Sequence, residues 1–104
     1  MTKLELLTEI KKRLQAAHGS RLRGVILYGS EARGDAGPDS DIDVLVLLDG
    51  PVNLARDLEI NIHALYSLAL RVGRPISAQP ASVESYETFD CPLYRSAHQE
   101  GIAA

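Results

Sequence analysis

Apolar residues at Leu4, Leu7, Ile10 and Leu14 recur at three- and four-residue steps, the spacing of one face of an amphipathic helix. Thr2 and Glu5 have the spacing of a capping box, in which the Thr side chain accepts from the third backbone N–H and the Glu reaches back to the cap. This helix is expected to end near His18-Gly19. The period then changes. Gly24 to Tyr28 is a short, β-rich apolar run and reads as a buried strand. Glu31 to Ser40 holds Gly34, Gly37 and Pro38 and reads as a connector, with one helical turn at Ala32-Arg33. Asp41 to Leu48 is the strongest strand pattern in the chain, and Asp49-Gly50-Pro51 ends it as a turn.

Helical spacing returns at Leu54, Leu58, Ile62, Leu65, Ala69 and Val72, which predicts a helix from Asn53 to Val72 with Gly73 as its stop. Pro75 to Ala81 fits a third strand, and its two prolines place it at an edge. Pro92 suits the first turn of a short tail helix over Leu93 to Glu100, with Gly101 behind it. The order helix, strand, strand, helix, strand, short helix predicts a mixed α/β domain, a small mixed sheet with helices packed on one face.

Composition narrows the function classes. The 104 residues suit one domain, residues 1–104, with no room for a second that would hold a substrate. Eleven Lys and Arg against fourteen Asp and Glu leave a net charge of −3, so the chain lacks the broad basic footprint of a stand-alone nucleic-acid binder. A single cysteine, Cys91, excludes an internal disulfide framework. The longest unbroken apolar run, Val44 to Leu48, is far too short to cross a membrane, and the first residues alternate charge and leucine without a signal-peptide core. A cytoplasmic protein is expected.

The chemistry concentrates between Gly29 and Val44. Residues two apart in a strand point to one face, so Asp41 and Asp43 project side by side while Ile42, Val44 and Val46 face the other way. Two carboxylates that close repel, and a divalent cation relieves the repulsion. Mg²⁺ is commonly held by one or two carboxylates, with waters and substrate phosphates completing its shell. Gly29-Ser30 leaves the first strand into the predicted helical turn, a place for backbone N–H groups and a hydroxyl to meet an anion. Arg33 follows one turn later and either contacts phosphate or braces the loop. A phosphate cradle beside a metal-binding pair is the equipment of nucleotidyl transfer.

Gly29-Ser30, ten intervening residues, then Asp41-Ile42-Asp43 resembles the signature of the DNA polymerase β-type nucleotidyltransferase superfamily. The flanking Ala32-Arg33-Gly34 and Ser40 resemble its small prokaryotic branch, the minimal nucleotidyltransferases, as does the stretch from Cys91 through Arg95 to Glu100-Gly101-Ile102. The resemblance implies a polymerase β-like fold, an NTP donor (ATP foremost) and two Mg²⁺ ions. It places the triphosphate on Gly29 and Ser30 and the metals on Asp41 and Asp43. Some members of that branch act as the antitoxin to a helical HEPN-type partner, which implies such a partner or a second copy of the chain here.

One departure stands out. The family places a third carboxylate on a later strand, but Pro75 to Pro80 contains no acid, and Glu84 and Glu87 lie beyond it. Two readings follow. The chain transfers NMP from an NTP to a hydroxyl on a protein or RNA, or it is a catalytically weak module that binds nucleotide or neutralises a partner by docking.

Overall fold

The computed structural model describes all 104 residues. Its centre is β2 (Ile42–Leu48), flanked by β1 (Leu22–Tyr28) running antiparallel and β3 (Ile76–Ser82) running parallel. A two-residue strand, β4 (Ile102–Ala103), adds antiparallel to the far side of β1, giving the order β3-β2-β1-β4. The helices are α1 (Lys3–His18), α2 (Gly29–Arg33), α3 (Leu54–Val72), α4 (Val83–Thr88) and α5 (Pro92–Glu100). The capping box at Thr2 and Glu5 is formed, and Gly73 ends α3 in the left-handed conformation, both as the sequence predicts.

The period-two rule divides β2 between two cores. Ile42, Val44, Val46 and Leu48 join Val25 and Leu27 beneath α1 and α3. Leu45 and Leu47 face the other way, with Ile26 and Ala81, against Tyr86 of α4 and Ala97 of α5. The expectation of helices on one face holds for the two long ones. The short α4 and α5 cover the opposite face, which is why β2 reads as a continuous apolar run. The chain reaches β4 through a close approach at Gly101: a Cβ there would collide with the Ala97 carbonyl oxygen and with the Ile26 side chain.

Both long helices bury a face shifted from the one their leucines suggest. In α1, Leu6, Leu7, Ile10 and Leu14 are buried and Leu4 is 68% exposed. In α3 the buried positions are Asp57, Asn61, Leu65 and Leu68, while Leu54 and Ile62 are 60% and 55% exposed. Polar side chains occupy core positions because each finds partners. Asp57 accepts from Arg21 at 3.0 and 3.3 Å and from the Asn53 backbone N–H at 3.1 Å. Asn61 donates to the Ala78 carbonyl at 2.9 Å, leaving its oxygen to accept from His18 Nε2 at 2.6 Å. This chain of contacts ties the end of α1 to α3 and β3.

The Asp57 carboxylate carries a pH signature. The hydrogen bonds from Arg21 hold it below the usual carboxylate range, against the effect of burial. Its contribution to stability is therefore complete above pH ~4 and is lost as pH falls through the lowered value. Arg21→Met strands a buried carboxylate and is expected to cost about 3 kcal/mol at neutral pH, read by urea unfolding. That deficit should shrink as pH falls, because protonation relieves the stranded carboxylate and the Asp57 part of the acid limb is lost. An unchanged acid limb would show that the pair does not set it.

Candidate active site

Three strands bring their ends together on one side of the sheet. Tyr28 closes β1, Asp43 pairs with it near the start of β2, and Ser77 pairs with Asp43 near the start of β3. Asp41 lies exposed just outside β2, two residues from the half-buried Asp43. The intervening Ile42 is fully buried, and its N–H donates to the Pro75 carbonyl at 2.8 Å. The two carboxylates flank Ile42 closely enough for the Asp41 charge to act on Asp43. Burial pushes the Asp43 carboxyl pKa up, the charge of Asp41 adds to the rise, and Arg33 opposes it. The Tyr28 hydroxyl is also raised, by burial and then by the Asp43 charge.

Gly29 leaves β1 with φ +73° and opens α2. A Cβ at this position would lie 2.6 Å from Asp43 Oδ2, so the glycine is what allows the backbone and the carboxylate to approach. The turn is closed by the Ser30 carbonyl, which accepts from the Gly34 and Asp35 amides at 3.0 and 3.1 Å. The first amides of any helix have no acceptor within it, so those at the head of α2 are free for an anion near the carboxylate pair. Gly29→Ala is expected to destabilise the fold by about 1–3 kcal/mol through its left-handed backbone and to displace Asp43. Thermal melts and Mg–ATP titration of that variant check both effects.

Arg33 is exposed and engaged within the protein. It donates to Glu100 of α5 at 3.0 Å and to Asp35 at 3.3 Å, so of its two expected roles the structure shows the brace. Arg74, which follows the Gly73 stop, donates from Nε to the Ser40 carbonyl and from Nη2 to Glu31, each at 2.9 Å. Sequence reasoning missed the Glu31–Arg74 pair, and no short-range pattern marks two residues separated by 43 positions.

β3 presents Ser77, not an acid, beside Asp43. Glu84 and Glu87 belong to α4, which follows the other end of β3, so they stand away from the carboxylate pair. The structure contains no cluster of three or more His, Cys, Asp or Glu side chains able to hold a metal. Two carboxylates on one face still fit the Mg²⁺ chemistry in which substrate phosphates supply further ligands. No helix is long and apolar enough to cross a membrane.

The family model for the nucleotidyltransferase domain matches residues 7–88, which span β1, α2, β2 and β3. The chain belongs to the nucleotidyltransferase domain family. It is an enzyme of the transferase class. The nucleotidyltransferase is 32% identical over 99 residues to MJ0604 of Methanocaldococcus jannaschii, a candidate protein adenylyltransferase, covering 95% of this chain and 90% of that one. It is 39% identical over 67 residues to the protein adenylyltransferase MntA of Thermococcus cleftensis, covering 64% of this chain and 66% of MntA. Its fold is similar to a chain in the crystal structure of a toxin–antitoxin with AMP-PNP, at TM-score 0.65 and 23% identity, over 92% of this chain and 69% of that one. The nucleotidyltransferase fold expected from the motif is therefore the fold observed.

Proposed function

We propose that the nucleotidyltransferase moves AMP from ATP to a hydroxyl of a protein partner. The observation that carries this reading is Asp43 set against the head of α2, with Gly29 leaving the space between them and the Asp41 charge beside it. The adenylyltransferase activity for which MJ0604 and MntA are named, and the AMP-PNP bound in a similar structure, support it. Asp41 and Asp43 would hold Mg²⁺, which supplies neutralisation of the phosphate charge and alignment of the triphosphate. The amides at Gly29 and Ser30 would receive the phosphate oxygens. An acceptor oxygen forms a bond to the α-phosphorus, the bond from that phosphorus to the bridging oxygen breaks, pyrophosphate leaves, and the hydroxyl proton passes to water. The toxin–antitoxin structure to which the fold is similar supports a protein partner; the partner proposed is a helical protein of the HEPN type, in the cytoplasm.

The test uses α-labelled ATP, Mg²⁺ and a copurifying partner. Label moving onto the partner supports the reading; no label with wild-type protein, partner and millimolar Mg–ATP defeats it. One observation favours the alternative, a weak module that neutralises its partner by docking: Ser77 stands where a further carboxylate would meet Asp43. That alternative expects a stable complex indifferent to loss of both aspartates.

A further inference from the structure

We propose that Arg74 is a positioning residue for the nucleotide, locking the turn at the head of α2 to the strand that carries the aspartates. The proposal rests on the donor-site reading above. A five-residue helix cannot hold itself, because one turn of hydrogen bonds does not repay the cost of nucleation. The position of α2 is therefore set by ties to the rest of the chain. Lys3 reaches its Ala32 carbonyl at 3.4 Å, and Arg33 reaches Glu100 at 3.0 Å. Arg74 binds both sides of the site at once. Its Nη2 meets Glu31, next to Ser30, while its Nε meets the carbonyl of Ser40, next to Asp41. One guanidinium thus spans the two segments between which a metal-bound triphosphate would lie.

The tie is well protected. The Arg74 and Glu31 side chains are only 15% and 16% exposed, whereas those of Arg33 and Asp35 are 47% and 62% exposed. Ion pairs withdrawn from water are screened less than exposed ones. The bond from the Ile42 N–H to the Pro75 carbonyl runs beside the Arg74–Ser40 bond, so Arg74-Pro75 and Ser40–Ile42 form a short zipper. Arginine suits the task because its planar fork meets a carbonyl and a carboxylate together, and lysine offers only a point charge. With Nε and Nη2 engaged, Arg74 acts on the nucleotide through α2.

Losing the clamp makes nucleotide binding carry the cost of ordering α2. Arg74→Met is expected to raise KM for Mg–ATP about tenfold, with kcat changed much less. Glu31→Gln should raise KM less, since it spares the Arg74–Ser40 bond, and the double variant should be little worse than Arg74→Met alone, because the Glu31 contact cannot be lost twice. Arg74→Lys should recover part of the loss. Without nucleotide, hydrogen exchange at the Gly34 and Asp35 amides, which close α2, should quicken in Arg74→Met while the core of α1 and α3 keeps its protection. A KM unchanged from wild type, or additive losses in the double variant, would overturn the clamp. So would unaltered exchange at those two amides, even if wild-type protein binds no Mg–ATP and the donor-site reading itself fails.

Discussion

Asp41→Asn combined with Asp43→Asn is expected to lower label transfer from α-labelled ATP by about a thousandfold or more, with the fold intact. The size follows from electrostatic stabilisation in nucleotidyl transfer, where removing the groups that hold and neutralise charge costs several kcal/mol of barrier. Burial and the Asp41 charge both raise the Asp43 pKa, so the folded state disfavours the ionised Asp43. An acid with a raised folded pKa weakens the fold at neutral pH, and the penalty is relieved as pH falls through the raised value. Asparagine removes that penalty without changing the shape. The double variant should therefore melt at or above the wild-type temperature in the absence of Mg²⁺ while losing transfer. Its melting temperature should no longer rise with Mg–ATP, since the ligand stabilises only the state that binds it. Transfer that survives the double substitution would remove the aspartates from the chemistry.

That arrangement was legible in the sequence because it depends on short-range geometry. Alternation puts Asp41 and Asp43 on one face whatever the rest of the chain does, and a glycine leaving a strand marks a close approach. The apolar run of β2 likewise announces a central strand. Long-range consequences were less visible. The leucine row on α3 suggested Leu54 and Ile62 as core, yet the fold buries Asp57 and Asn61 because Arg21, His18 and the Ala78 carbonyl meet them there. A hydrophobic pattern cannot register a polar residue whose partner lies 36 or 43 positions away. The six-residue α4 buries only Tyr86, and the two-residue β4 only half-buries Ile102, so neither is long enough to show a period. The tail helix α5 was legible, but nothing local says that it folds back with α4 onto the second face of the sheet.

The last expectation uses the same strand register to add what β3 lacks. Ser77→Asp would place a third carboxylate beside Asp43, on a neighbouring strand about 4.8 Å away. With no metal present, three negative charges at one end of the sheet repel. The Asp43 pKa should rise further, and stability near neutral pH should fall by about 1 kcal/mol, an effect that disappears as the carboxyls are protonated. Mg²⁺ should reverse the loss, so its effect on the melting temperature should exceed that in wild type. If the proposed transfer is limited by an incomplete acid set, label transfer should increase tenfold or more, because the added carboxylate both strengthens metal binding and offers a base for the acceptor hydroxyl. The two functional readings then separate. An active wild type that Ser77→Asp accelerates is a transferase working with two acids. An inactive wild type that acquires transfer is a docking module that kept the fold and the donor site. A variant that gains neither Mg²⁺-dependent stability nor transfer would show that position 77 does not face the reacting centre.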